Sequence, residues 1–178
     1  DELDQVGYPT TVGTAFLGQE PAREDATVVA RLREAGALLI GKTNMHEIGI
    51  GVNGNNPHHG IARNPYQPDH YAGGSSGGSG AVGGAGIAPI AVGADGGGSV
   101  RIPAAFCGAV GLKATFGRIS ESGAYPLCWS VAHVGPITAS AADCALAYGL
   151  MAGPDPRDPG SLHQPALDFS PYYKKDLR

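Results

Sequence analysis

At 178 residues the chain is long enough for one compact domain with a real core, and nothing in its length requires two. Its 29 glycines and 14 prolines approach low-complexity composition, but 42% of the residues are hydrophobic and the glycines sit between apolar runs, which excludes a disordered polar chain. The net charge of -4 argues against a general nucleic-acid binder, and three cysteines with no C-x-x-C pair argue against a disulfide framework or a zinc site and suit a reducing, intracellular setting.

No basic start followed by an apolar run opens the chain, so no secretory signal is expected within it, and "DELDQVGYPTT" reads as the middle of a longer sequence. From Ala26 to Ala35, "ATVVARLREA" sets Val28, Val29 and Leu32 on one face with Arg31, Arg33 and Glu34 largely elsewhere, the pattern of an amphipathic helix that Gly36 ends. "ALLI", Ala37 to Ile40, is a short apolar run of the kind a buried parallel strand shows. Helix followed by strand predicts an α/β sheet.

Residues 51–71 are polar and rich in Asn, Pro and Gly, a loop of a length that is often functional. "SGGSGAVGGAGIA" has helical length with almost no bulky side chain. Each internal glycine costs such a helix about 1 kcal/mol relative to alanine, so it is expected only where neighbours press on its bare surface. "PIAVGA" reads as a buried strand, residues 109–113 as another, and "SAADCALAYGLMAG" as a helix capped by Ser140 and packed through Ala145, Leu146 and Leu150. From Pro154 to Arg178 the chain reads as a loop or linker.

Several motifs carry chemistry by their letters. "GALLIGKT", Gly36 to Thr43, matches the phosphate-loop pattern, but a helix precedes it and its middle residues are apolar. "GSGAVG", Gly78 to Gly83, matches the dinucleotide pattern without the preceding strand that a dinucleotide site needs. His46-Glu47 and His58-His59 lack the spacing of a metal-binding helix, and no metal or cofactor is predicted.

The serine regions "GGSSGGSG" and "DGGGSV" remain. A serine attacks only when a group accepts its proton, and acyl transfer needs backbone donors where the oxyanion forms. Gly96, Gly97 and Gly98 are free to aim successive N–H groups at one point, with Ser99 as the attacking group. Composition alone equally allows a glycine-rich turn with an N-cap serine.

The order of "AGALLIGKTNMHEIGIG", "GIARNPYQPDHYAGGSSGGSGAVGGAG" and "GADGGGSVRIPAAFCGAVGLKATFGRIS" resembles the amidase signature family over Asp1 to about Gly153. "KTNMHE", "NGNN" and "GGGSVRIP" are most similar to its plant and fungal fatty acid amide hydrolase branch. The resemblance implies an α/β amidase signature fold, present in part, with a central mixed β-sheet flanked by helices. Residues 1–153 would be the central part of that domain, and residues 154–178 the loop into its C-terminal part.

It further implies an amidase that works through an acyl-enzyme without a cofactor. Ser99 would be the nucleophile, and Ser75, following a cis peptide bond, the proton relay. Gly96, Gly97, Gly98 and Ser99 would form the oxyanion hole, with Ser76, Asp95 and Arg101 supporting it. The family's catalytic lysine would immediately precede Asp1, and neither Lys42 nor Lys113 matches its position.

The implied partners are a small-molecule amide substrate and the remainder of an amidase chain, with no nucleic acid. Homo-oligomerisation and membrane association through other parts of the chain stay open, as does a cytoplasmic or membrane-peripheral location. The competing readings are a non-catalytic segment and the amidase component of a tRNA-dependent amidotransferase.

Overall fold

The structure, a computed structural model, describes residues 1–165, 167–169 and 171. Helix α1 (Thr27–Glu34) buries Val28, Val29 and Leu32, the stripe that the sequence periodicity predicts, and gives way to Gly36 at φ +89°. Helix α2 (Gly77–Gly84) leads into strand β1 (Ile90–Asp95), followed by a short helix α3 (Arg101–Phe106) and strand β2 (Val110–Gly111). Strand β3 (His133–Thr138) and helix α4 (Ala141–Met151) follow, and a 3₁₀ turn spans Glu47–Gly49 between α1 and α2.

The three strands form an antiparallel sheet in the order β1-β3-β2, with Gly93 opposite Gly135 and Asp95 opposite His133. Strand alternation divides the core between the two faces. Ala91 and Ile137 meet Val100 and Ala104 on the α3 side, joined by Val82 of α2. Ala94 and Val134 meet Tyr148 and Met151 of α4 and the buried stripe of α1 on the other. Arg31 of α1 donates to the carbonyls of Met151 (2.7 Å) and Pro154 (2.9 Å), which binds α1 to the end of α4.

Three expectations change, and one strand appears that was not expected. Ala37 to Ile40 forms no strand, and Leu38 and Ile40 are 90% and 73% exposed, because no described strand pairs with the run. The three strands pair antiparallel although the helix-strand order points to parallel pairing, and the parallel bridge Val6–Ala22 lies outside the sheet. β3 is the central strand despite Pro136, which lacks the N–H a ladder uses; its carbonyl still accepts from Leu112 N–H at 3.1 Å. On α4 the buried side is Cys144, Ala147, Tyr148 and Met151, with Leu150 packed beside them as expected and Leu146 half exposed, and Ser140 caps the helix as expected by accepting from Asp143 N–H. Beyond Pro154 there is no helix or strand as far as 165, yet Asp155 is buried and accepts from the hydroxyls of Thr27 and Ser120. Residues 166, 170 and 172–178 of that predicted loop lie outside the described residues.

The glycines of α2 are explained by contact. A Cβ at Gly80 would lie 2.6 Å from Pro103 Cβ and 2.9 Å from its carbonyl oxygen, and one at Gly78 would lie 2.5 Å from Asn44 O. The helix therefore packs backbone against backbone, and its weak intrinsic propensity is offset by tertiary contact. Gly80→Ala should destabilise the full-length protein by about 2 kcal/mol through overpacking, although helix propensity alone favours alanine by about 1 kcal/mol. A fall in the urea midpoint supports this packing, and a rise contradicts it.

Candidate active site

The first turn of α2 and the turn after β1 meet at one point. The chain reaches α2 through Gly74, whose Cβ would fall 2.5 Å from Gly54 N and 2.9 Å from Gly51 O, so only glycine lets the loop pass. The Gly74–Ser75 peptide bond is cis. His46 N–H donates to Ser75 O at 2.9 Å, and Ser76 N–H donates to Ser99 O at 3.2 Å. Ser76 Oγ accepts from Ala94 N–H (3.2 Å) and donates to Ala94 O (3.4 Å), while Ser79 Oγ donates to Val92 O at 2.7 Å.

Asp95, the last residue of β1, is fully buried and organises the turn that follows. Its Oδ1 accepts from Gly98 N–H (2.6 Å) and Arg101 Nη2 (2.9 Å), and its Oδ2 accepts from Val100 N–H (3.1 Å), Arg101 N–H (3.3 Å) and Arg101 Nε (2.9 Å). Burial pushes the carboxyl up, but the Arg101 guanidinium and the three backbone N–H groups outweigh it and bring the pKa down to about 2. The carboxylate is thus ionised at neutral pH and anchors Gly98, Val100 and Arg101.

Ser75 and Ser99 line one cavity of about 240 Å³ with Gly96, Gly97 and Asp95. Among the described residues neither hydroxyl has a hydrogen-bond partner, and no bond joins the two. The N–H groups of Gly96, Gly97 and Ser99 likewise have no acceptor among the described residues. Gly98 differs from the sequence expectation: at φ +125° its N–H is occupied by Asp95 rather than turned to the cavity. Asp95, Arg101 and Ser76 all act on the backbone around the cavity.

Sequence reasoning missed the other walls. Ile48, Ile50, Leu127, Val131 and Ala132 make one side of the cavity apolar. They are scattered over a 3₁₀ turn (Glu47–Gly49) and loops, with no period to mark them. Ile48 and the buried Val12 both take left-handed conformations, at φ 53° and 55°, and Ile48 N–H donates to Val12 O at 2.9 Å. Two β-branched residues in that region cost about 1–2 kcal/mol each, so the surrounding packing holds this wall in place.

The remaining motifs are engaged elsewhere. Lys42, the lysine of the phosphate-loop pattern, is half-buried against Pro9 O (2.7 Å) and pairs with Asp1 Oδ1 (2.9 Å). Lys113 Nζ donates to Ala114 O, and Glu47 Oε1 pairs with His58 Nε2 at 2.7 Å. The glycines of "GSGAVG" are the packing surface of α2.

The Amidase family model matches residues 1–178. A fatty acid amide hydrolase from Oryza sativa subsp. indica is 46% identical over 168 residues, covering 94% of this chain and 28% of its own length. Among solved structures, a chain from work on a vestigial protein complex and the origins of an s-triazine catabolic enzyme superposes with TM-score 0.92 at 46% identity, over 95% of this chain and 37% of that one. A glutamyl-tRNA(Gln) amidotransferase subunit from Thermotoga maritima superposes with TM-score 0.86 at 35% identity, over 91% and 36%. The chain belongs to the amidase family and has its α/β fold. It spans about a third of the length of these relatives.

The Asp95 anchor sets a pH dependence. Its folded pKa of about 2 lies below the ordinary 3.8, so the unfolded chain binds the proton more readily between those values. The stability it supplies, about 2 kcal/mol, is fully present above pH 4 and is lost as pH falls through that window. Asp95→Asn should cost about 3 kcal/mol at pH 7, with the difference from the parent protein shrinking between pH 4 and pH 2. A difference that stays constant over that range would show that the ionised carboxylate is not the anchor.

Proposed function

We propose that the protein containing this chain hydrolyses a carboxylic amide through an acyl-enzyme on Ser99. The observation that supports this most is the convergence on one cavity of two unpartnered hydroxyls, Ser75 and Ser99, with the free N–H groups of Gly96, Gly97 and Ser99. Ser99 Oγ attacks the amide carbon while its proton passes to Ser75 Oγ and the Ser75 proton passes to a base. The family resemblance implies that this base is a lysine preceding Asp1.

The tetrahedral oxyanion is met by the N–H groups of Gly96, Gly97 and Ser99, each such donor being worth about 10²–10³ in rate. The C–N bond then breaks, the amine leaves with one proton returned through Ser75, and water releases the acid and regenerates Ser99. Hydrogen bonds of this kind often tighten only when substrate binds, which accommodates two hydroxyls that line one cavity without touching.

The apolar wall of Ile48, Ile50, Leu127 and Val131 favours a neutral, apolar substrate such as a fatty acid amide. Asp95 is the one charged side chain lining the cavity among the described residues, and Arg101 neutralises it. The amidotransferase reading rests on the likeness to the Thermotoga maritima protein. Glutamine-dependent ammonia release by the full-length protein, exceeding hydrolysis of an apolar amide, would favour it.

In the full-length protein, Ser99→Ala should abolish both hydrolysis and labelling by a fluorophosphonate. Ser75→Ala should lower kcat by about 10²–10⁴-fold, the range for loss of a proton-transfer group. Unchanged labelling and hydrolysis in Ser99→Ala would overturn the assignment.

A further inference from the structure

Leu127 stands closer to the reacting groups than its place in an irregular loop suggests. The segment is tied at its start by Tyr125 N–H to Glu2 O (2.8 Å), and Leu127 N–H donates to Tyr125 O (2.9 Å). It is tied at its end by Val131 and Ala132 N–H to Cys128 O (3.0 and 2.8 Å) before β3 begins at His133. These bonds fix the backbone of the loop, from which the leucine side chain reaches Gly49. A Cβ at Gly49 would fall 2.4 Å from Leu127 Cδ1 and 3.6 Å from Ser75 Oγ, so the leucine methyl and the Ser75 hydroxyl lie against the same glycine.

The two sides of this contact differ in how far they can yield. Ile48 and Gly49 are both left-handed, at φ 53° and 67°, and Ile48 is bonded through its N–H to Val12, so that wall is fixed by the backbone. Leu127 is half-buried and meets Gly49 with the far end of a flexible side chain. The space beside Ser75 is therefore set by the Leu127 rotamer.

We infer that Leu127 limits the size of the leaving amine. This rests on the reading above, in which the nitrogen of the breaking C–N bond takes its proton through Ser75 Oγ. The departing nitrogen must then lie within hydrogen-bond reach of Ser75, and its substituent must occupy the space that Leu127 closes. Ser99 and the free N–H groups fix the carbonyl carbon and oxygen, so Leu127 discriminates on the amine side, favouring primary amides over amides with a bulky N-substituent.

The test uses the full-length protein with octanamide and octananilide, which share an acyl group and hence one acyl-enzyme. Leu127→Ala should raise kcat/KM for the anilide relative to the primary amide by about tenfold, the scale for opening a pocket by a small apolar group. Leu127→Phe should lower that ratio. Because both rates refer to the same preparation, a loss of folded enzyme cancels in the ratio. A ratio that stays within about twofold in both variants overturns the inference, as does a change confined to the preference between octanamide and acetamide, which would put Leu127 on the acyl side. If the parent protein neither hydrolyses these amides nor is labelled by a fluorophosphonate at Ser99, the underlying reading fails and the inference with it; hydrolysis with an unmoved ratio rejects the inference alone.

Discussion

Ser76 clamps the first turn of α2 onto the end of β1, and the geometry of the cavity depends on that clamp. Its hydroxyl bonds both backbone groups of Ala94, and its N–H reaches Ser99 O. The approach is possible because Gly93 has no side chain, since a Cβ there would lie 2.5 Å from Ser76 Oγ. Ser75 and Ser99 are 24 positions apart in sequence, and this contact makes them neighbours. The glycines of α2 serve close approach on its other sides, where side chains would meet Asn44 and Pro103 of α3.

Asp95 serves the same arrangement from the opposite side. A buried carboxylate is costly unless every acceptor site is filled, and here five donors fill it. In filling it, the chain draws Gly98, Val100 and Arg101 inward, and the N–H groups of Gly96, Gly97 and Ser99, residues that line the cavity, have no acceptor among the described residues. One side chain thereby divides the turn into residues bonded to Asp95 and residues that are not. The division is electrostatic, and it persists over any pH at which the protein is folded and Asp95 is ionised.

Much of the fold was legible in sequence where a period or a cap signalled it. Val28, Val29 and Leu32 mark α1, Ser140 marks the start of α4, and the apolar run ending at Asp95 marks β1. β3 was not legible because Gly135 and Pro136 break the strand pattern at its centre, and only pairing on both sides makes a strand of it. The exposure of Leu38 and Ile40 was equally hidden, since an apolar run does not say whether a partner strand lies beside it. For the site, composition left the glycine-rich turn ambiguous, and the order of the motifs related Ser75 to Ser99. The occupation of Gly98 N–H by Asp95 and the roles of Ile48 and Leu127 as walls depend on tertiary approach and had no sequence signal.

The central claim is that the turns around Ser75 and Ser99 form a single acylating centre in which Ser99 carries the acyl group. The most direct measurement is to quench the full-length protein in acid during turnover of an octanoyl substrate and to locate the added mass by peptide mapping. The account predicts one octanoyl adduct on the peptide containing Asp95 to Arg101, at Ser99. An adduct on Ser75 or on the exposed Cys128 of the cavity wall, with Ser99 unmodified, would contradict it.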